Sequence, residues 1–207
     1  CMGWKVFGNG TLMDDGPFER NPHYVRLGNS GHREKHTGIE NEGFFGIGVK
    51  EGAEYRFSVW ARGENQKLRI ELIKNDTMEE RQAFESKELT VNSKDWKQYE
   101  VILKSPRTEP KAHLRIFLES AGTVDLEHVS LFPVDTWKER KNGLRKDLAQ
   151  VLADIHPRFI RFPGGCVAHG DGLKNIYQWK NTVGPLEARK AQRNLWGYHQ
   201  SMGLGYF

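Results

Sequence analysis

The stretch Tyr55-Arg-Phe-Ser-Val-Trp-Ala61 places apolar side chains at every second position, namely Tyr55, Phe57, Val59 and Ala61. Side chains of a β-strand point alternately to opposite faces, so a period of two predicts a strand with one face in a core. The same alternation recurs in four further stretches of the chain, at residues 68–72, 99–103, 114–118 and 124–132.

Turn-forming residues separate these predicted strands. They are Gly52, Gly63-Glu-Asn65, Asn75-Asp76, Asn92-Ser93 and Ala121-Gly122. Many short strands with such breaks are typical of an antiparallel sandwich. We therefore predict a β-sandwich over residues 1–134 and expect its strand aromatics, Trp60 included, to pack in the core.

The pattern changes after residue 133. Asn142 is a predicted N-cap, followed by one apolar stripe at helical spacing. The stripe consists of Leu144, Leu148, Val151, Leu152 and Ile155, and Pro157 is expected to end the helix. A short strand is predicted directly afterwards at Arg158–Phe162, so this region has the character of an α/β unit.

Pro163-Gly164-Gly165 ends that predicted strand. The carboxyl end of a parallel strand is where α/β folds place their chemistry. Two consecutive glycines allow close approach of a ligand or a positive φ angle. The turn from Arg161 to Cys166 is therefore the first candidate for a functional site.

Composition excludes several classes of protein. The 207 residues are 37% hydrophobic with a mean hydropathy of −0.69, and no apolar run is long enough for a membrane span. Positive charge is in surplus over residues 135–207, but it is scattered, so we expect no nucleic-acid partner. The two cysteines, Cys1 and Cys166, form no disulfide framework, and the eight histidines show no metal-binding spacing.

Five segments of the tail and one further residue, Arg189, carry a resemblance. The segments are Arg161-Phe-Pro-Gly-Gly-Cys166, Tyr177-Gln-Trp-Lys180, Val183-Gly-Pro185, Leu195-Trp-Gly-Tyr198 and Gly203-Leu-Gly-Tyr-Phe207. Together they resemble the α-L-arabinofuranosidases, which are glycoside hydrolases with a TIM barrel and two catalytic glutamates. The resemblance is to a subgroup in which a sandwich similar to a carbohydrate-binding module precedes this stretch.

The resemblance implies a mainly β fold in two parts. Residues 1–134 would form a jelly-roll-type antiparallel β-sandwich similar to a carbohydrate-binding module. Residues 135–207 would begin a (β/α)8 catalytic barrel that is incomplete in this chain, which would be a fragment of a larger protein. The segment from Val134 to Lys146 resembles the junction between the two parts.

Three residues are expected to contact substrate, and each has an alternative role. Cys166 matches the position where the family places Asn or Cys beside the bound sugar, but a small buried hydrophobe is the alternative. Arg161 could hold a carboxylate ionised near the substrate or form a fixed ion pair in the barrel floor. Trp196 matches a tryptophan that lines the arabinose pocket, whereas Trp179 is expected to pack.

No catalytic residue is assigned in this chain. Retaining glycosidases use two carboxyl groups about 5–5.5 Å apart, and the resemblance places both glutamates on later barrel strands, beyond Phe207. Asp171 and Glu187 are not nominated in their place. We therefore expect the parent protein to be an exo-acting, retaining α-L-arabinofuranosidase of hemicellulose or pectin side chains, and this chain alone to be inactive.

Two alternatives concern the sandwich alone. It could bind glycan, with Trp4, Phe44 and Phe45 as exposed aromatic residues, or it could be a structural domain without a ligand. The expected partner is an arabinose-containing polysaccharide or oligosaccharide. No cofactor is expected, and the sequence offers no convincing ligand cluster for a structural calcium ion. Such an enzyme would be secreted, periplasmic or attached to the cell surface, although no export signal is visible.

Overall fold

The computed structural model describes residues 3–31, 37–74, 82–190 and 192–196, together with the backbone of 199–200. The chain divides into two compact units. The first comprises Cys1–Met13 and Tyr24–Asp154, and the second comprises Asp14–His23 and Ile155–Phe207. This division follows spatial contacts within the molecule, so the boundary at residue 134 stays a prediction.

Antiparallel strands dominate the first unit. They are β1 (Trp4–Phe7), β2 (Asn9–Met13), β3 (Tyr24–Asn29), β4 (Thr37–Asn41), β5 (Ile47–Val49), β6 (Glu54–Lys74), β7 (Ala83–Lys104), β8 (Glu109–Leu118) and β9 (Gly122–Pro133). The hydrogen-bonded order is β1-β4-β8-β6-β9-β3-β2, with β5 paired to β8 and β7 paired to β6. The predicted antiparallel β-sandwich is confirmed.

Strand β6 belongs to both halves of the sandwich. Its first half, from Tyr55 to Arg62, pairs with β9, and its second half, from Leu68 to Lys74, pairs with β8. Strand β7 runs beside β6 along both halves, and the register is irregular between Ala61 and Gln66.

Two predicted turns are therefore corrected. Gly63-Glu-Asn65 was expected to reverse the chain, but it forms an irregular bend within β6, where Asn65 has a φ of 51°. Asn92-Ser93 likewise lies within β7. Residues that favour turns also tolerate the left-handed conformations of bulges, so sequence alone does not separate a bend from a reversal. The third predicted turn, Asn75-Asp76, lies outside the described residues.

The core forms where the alternation predicted it. Phe57, Val59, Leu68, Ile70, Leu72, Ile116 and Leu126 belong to one buried cluster. Trp60 is an exception, because it lies between Val59 and Ala61 on the opposite face of β6 and is only partly buried. The expectation that Trp60 packs in the core is wrong. Side chains alternate between the two faces of a strand, so the register that buries Phe57 and Val59 places Trp60 on the other face.

The predicted helix forms as α1 (Lys146–Ile155). Asn142 does not cap it, because Asn142 lies four residues before the helix with a φ of 53°. The chain is instead held by an antiparallel bridge between Thr136 and Arg145, and Trp137 N donates to Leu144 O at 2.9 Å. The apolar side chains of the predicted stripe are exposed in this chain.

The second unit contains short elements. They are α2 (Gly165–His169), 3₁₀ turns at Trp179–Thr182 and Leu186–Ala188, and the antiparallel pair β10 (Gln192–Arg193) and β11 (His199–Gln200). The segment Arg158–Phe162, predicted as a strand, is not part of any sheet in the described chain. A barrel strand is defined by its neighbours, and no parallel partner is present among the described residues. No helix in the described part of the chain is long and apolar enough to cross a membrane.

Candidate functional site

The Arg161–Cys166 turn leads directly into helix α2. Gly164 stands before the helix with φ 102° and ψ 161°, a region of backbone space that is essentially restricted to glycine. A Cβ atom on Gly164 would meet nothing within 4 Å, so conformation and not space requires glycine here. The peptide bond between Phe162 and Pro163 is cis.

Backbone hydrogen bonds and one ring contact fix the turn. Ala168 N donates to Gly164 O at 3.0 Å, and Gly170 N donates to Cys166 O at 3.0 Å. The Phe162 and Tyr177 rings meet edge to face with centroids 6.0 Å apart. The turn is thus tied to the segment that carries Tyr177, which is another of the motifs singled out in the sequence.

Arg161 and Cys166 are both exposed. Within the described residues, the Arg161 side chain has no carboxylate partner, although both interpretations of this residue require one. The exposed Cys166 thiol is not in the buried surroundings that its alternative role would need. Both residues stay predicted substrate contacts.

Trp196 and Trp179 are equally exposed, at 55% and 54%. The Trp196 backbone N donates to Asn194 Oδ1 at 3.1 Å, and no described ring contact or ion pair joins Trp196 to Arg161 or Cys166. Exposure therefore does not separate the predicted ligand residue from the predicted packing residue.

The two loop carboxylates do not form a catalytic arrangement with each other. Asp171 belongs to a local turn in which its backbone N donates to Asn175 Oδ1 at 2.8 Å. Asn175 Nδ2 donates in return to Asp171 Oδ2 at 3.3 Å. Glu187 lies in a separate 3₁₀ turn and is partly buried.

The sandwich also carries a cluster of three charged side chains, Arg26, Arg62 and Asp125, that is not recognisable in the sequence. Asp125 on β9 lies opposite Arg26 of β3 on one side and opposite Arg62 of β6 on the other. Their chain neighbours Leu27, Val124 and Ala61 are buried in the core, so the three charged side chains share the outer face of the sheet.

The three charges are joined by short hydrogen bonds. Arg26 donates from Nε to Asp125 Oδ1 at 2.7 Å and from Nη2 to Oδ2 at 2.8 Å. Arg62 Nε donates to Asp125 Oδ2 at 2.7 Å. The Asp125 side chain is only 5% exposed. Burial alone would raise the pKa of Asp125, but the hydrogen bonds from Arg26 and Arg62 outweigh it and hold the pKa below its usual value.

Two aromatic rings hold Arg62 in place. Its guanidinium carbon lies 5.4 Å from the ring centroid of Tyr24 and 4.9 Å from that of Trp96, within cation–π range. The two rings meet edge to face at 5.1 Å. Arg62 Nη2 also donates to the Tyr24 hydroxyl at 3.1 Å. The guanidinium is thus fixed in position before any ligand arrives.

A polar cleft opens beside this cluster. Its volume is about 260 Å³, slightly below the ~300–1,000 Å³ of typical small-molecule pockets. It is lined by Arg62, Gly63, Glu64, Lys94, Thr123 and Asp125. Lys94 Nζ lies 3.1 Å from Glu64 Oε1 at the exposed rim.

This cluster is not recognisable in the sequence, because its members are far apart in the chain. Arg26 and Asp125 are 99 residues apart, and Arg62 and Asp125 are 63 apart. The available signal was the presence of charged residues on the polar face of predicted strands. Joining them requires the strand order, which a single sequence does not supply.

The aromatic residues proposed for glycan binding differ from one another. Phe44 and Phe45 are 89% and 87% exposed, with ring centroids 4.7 Å apart and planes at 74°. Gly46 fixes this turn, because a Cβ atom there would lie 2.5 Å from the Lys111 Cα. Trp4 instead packs against the core and is partly buried. The exposed pair is present, but the rings are not coplanar.

No group of three or more His, Cys, Asp or Glu side chains suited to a metal ion occurs within the residues that the structure describes.

Comparison with protein families matches both parts of the chain. Residues 1–123 match the family described as carbohydrate binding domain, and residues 151–207 match the family described as alpha-L-arabinofuranosidase 1 domain.

Individual relatives extend the similarity over nearly the whole chain. An extracellular exo-α-L-arabinofuranosidase of Streptomyces chartreusis is 38% identical over 99% of this chain and 25% of its own length. Alpha-L-arabinofuranosidase 1 of Arabidopsis thaliana is 36% identical over 83% of this chain and 25% of its own length. The chain thus spans about a quarter of these relatives.

One solved structure is similar to nearly the whole chain. It is an arabinose-bound α-L-arabinofuranosidase that is 26% identical, with a TM-score of 0.83 over 98% of this chain and 35% of that structure. The small helical part of the present structure matches the start of that enzyme's barrel. The chain therefore belongs to the carbohydrate binding domain family through residues 1–123 and is, over nearly its whole length, a homologue of the α-L-arabinofuranosidases.

Proposed function

We propose that this chain is part of an exo-acting, retaining α-L-arabinofuranosidase that releases arabinose from the side chains of hemicellulose or pectin. The observation that carries the proposal is the match of sandwich and tail together, over 98–99% of the chain, to enzymes of that name. A sandwich alone would leave many functions open, because one fold hosts many activities.

Within that enzyme, residues 1–134 supply the sandwich and residues 135–207 supply the start of the catalytic barrel. Arg161, Cys166 and Trp196 contribute one side of the arabinose pocket. All three are exposed in this chain and therefore accessible to a sugar. An indole ring suits the apolar face of a sugar, and a guanidinium donates several hydrogen bonds to hydroxyl groups.

Hydrolysis itself requires two carboxyl groups about 5–5.5 Å apart. The two catalytic glutamates lie outside these 207 residues in the proposed enzyme. Asp171 does not replace them, because it is engaged with Asn175. The 207-residue chain should therefore not hydrolyse an aryl α-L-arabinofuranoside, whereas a longer product of the same gene should. Turnover by the 207-residue chain would contradict this assignment.

The role of Trp196 is tested in the longer protein by Trp196→Ala, with Trp179→Ala as the matched control. The two side chains have the same chemistry and almost equal exposure. We expect Trp196→Ala to raise KM for the aryl arabinofuranoside and Trp179→Ala to leave KM unchanged. The reverse result would exchange the roles assigned to the two tryptophans. Equal effects would remove the evidence for a pocket residue at Trp196.

A second function is favoured by the match of residues 1–123 to a carbohydrate binding domain and by the exposed Phe44–Phe45 pair. The sandwich would hold polysaccharide near the catalytic barrel. Titration of arabinan, arabinoxylan and xylan into the chain tests this function by calorimetry. If none of the three binds, the proposal that the sandwich holds these polysaccharides falls, and a structural role is favoured.

The proposed function also requires the protein to be exported from the cell. The Streptomyces relative is described as extracellular, and polysaccharide substrates are too large to enter cells intact. We propose a secreted, periplasmic or surface-attached protein. Fractionation of the native organism with an antibody to the chain tests this location.

A further inference from the structure

Arg62 has hydrogen-bonding capacity that the described chain does not use. A guanidinium carries five N–H donors. One donor at Nε serves Asp125 and one at Nη2 serves the Tyr24 hydroxyl. Within the described residues, no hydrogen bond from Arg62 Nη1 is found. The same side chain lines the polar cleft, and its side chain is 30% exposed.

The cleft also holds a second cation, Lys94, whose present ion pair is exposed. The cations that line it are Arg62 and Lys94, and the anions are Asp125 and Glu64. Asp125 is buried, and its charge is already paired with Arg26 and Arg62. The Lys94–Glu64 pair is exposed on both sides, at 77% and 68%, and exposed pairs contribute little stability. Lys94 can therefore exchange Glu64 for a ligand carboxylate at small cost.

The rigidity of Arg62 makes it suited to recognition. Its guanidinium is held by Asp125, by the Tyr24 hydroxyl and by the Trp96 ring. A fixed donor loses little freedom on binding, so more of its interaction energy appears as affinity. Carboxylates are the acceptors that match the planar donor pattern of arginine.

We propose that this cleft binds the carboxylate of a uronic acid residue, such as galacturonic or glucuronic acid, in an acidic polysaccharide. The inference rests on the proposed carbohydrate-binding function of the sandwich and names the ligand class of one site on it. The carboxylate accepts hydrogen bonds from Arg62 and an ion pair from Lys94. The volume of the cleft suits a single sugar residue, so the rest of the polysaccharide lies outside.

Trigalacturonic acid and its fully methyl-esterified form test the proposal, because esterification removes the charge and keeps the sugar rings. Calorimetric titration into the whole chain at low salt should give an affinity about tenfold higher for the acid than for the ester. The affinity for the acid should fall as salt is added, because screening weakens exposed charges.

Two substitutions in the cleft test whether it is responsible for the higher affinity for the acid. Lys94→Gln should weaken binding of the acid several-fold and leave the ester unchanged, whereas Lys97→Gln, on the same strand and outside the cleft, should change neither. Arg62→Lys keeps the charge but removes the fixed planar donors, so binding of the acid should fall about tenfold. Lys94 is exposed, so its substitution keeps the test valid if Arg62→Lys fails to fold.

The outcomes separate this inference from the function on which it rests. Equal affinity for acid and ester, or no effect of Lys94→Gln, overturns the uronate site. Binding of neutral arabino- or xylo-oligosaccharides without preference for the acid overturns the uronate site but supports a carbohydrate-binding sandwich. If neither acidic nor neutral oligosaccharides bind, both proposals fall.

Discussion

The sandwich strands and the second unit differ in how far their apolar side chains are buried. In the sandwich, Phe57 is fully buried, whereas Phe159 in the second unit is 83% exposed. Leu68, Ile70 and Ile116 of the sandwich strands have no accessible surface, whereas Leu173 in the second unit is 88% exposed. Leu148 and Val151 of α1, which follows the sandwich strands in the chain, are also exposed.

This contrast follows from how each architecture closes its core. The antiparallel strands of the sandwich all have their partners within residues 4–133, so this part of the chain buries its own apolar face. Elements of an α/β barrel bury their surface only against neighbouring βα units. The sandwich is therefore expected to account for most of the stability of this chain, and the second unit for little of it.

The largest effect should come from the pair Phe57→Ala and Phe159→Ala. Removing the buried Phe57 ring leaves a cavity, and the free energy of unfolding should fall by about 3–5 kcal/mol. Removing the exposed Phe159 ring should change it by less than about 0.5 kcal/mol. Urea denaturation followed by circular dichroism measures both. Similar losses for the two variants would show that the second unit also has a core of its own.

A smaller effect is expected from Asp125→Asn, which tests the charged cluster on the sandwich surface. The variant weakens two arginine contacts, so the free energy of unfolding at pH 7 should fall by about 2–3 kcal/mol. This is less than the ~3–5 kcal/mol of a fully buried pair, because the Arg26 and Arg62 side chains are 40% and 30% exposed.

The pH dependence of that loss has a definite sign. The pKa of Asp125 is lower in the folded protein than in the unfolded chain, so its stabilisation is complete above the unfolded value of ~3.9. It disappears as the pH falls through the folded pKa. The difference between wild type and Asp125→Asn should therefore shrink below pH ~4. Asp147→Asn is the control, because Asp147 pairs with Arg145 at the surface and should change stability less.

The smallest effect concerns two adjacent glycines in the second unit. Gly164→Ala places a side chain at φ 102°, so the turn should be strained by about 1–3 kcal/mol locally. Gly165→Ala lies in α2, where alanine is the better helix former, and should be neutral or slightly stabilising. Amide hydrogen exchange at Ala168 and Gly170 measures the local effect. Equal protection in both variants would mean that the Gly164 conformation is not required.

Local patterns in the sequence predicted the local structure well. The period of two at Tyr55–Ala61 and 114–118 located β6 and β8, and the helical stripe after Leu144 located α1. The start of α1 was placed too early, because the bridge between Thr136 and Arg145 depends on tertiary contacts. The short strands β1–β5 were covered only by the general expectation of a β-sandwich.

Features that depend on strand order were not predictable from one sequence. The buried pair Glu40–His113, with Oε1 and Nδ1 2.7 Å apart, joins residues 73 positions apart. The row of Arg26, Asp125 and Arg62 needs β3, β9 and β6 to be neighbours. In contrast, the exposure of Phe44 and Phe45 was anticipated, since the flanking glycines mark a surface turn.

The continuous strand β6 has a consequence for how the sandwich unfolds. One covalent strand pairs with β9 around Phe57 and with β8 around Ile70. Loss of one ladder should weaken the other, because both belong to the same strand and to its partner β7. The sandwich should behave as a single cooperative foldon, in which the amides of both halves open in the same event.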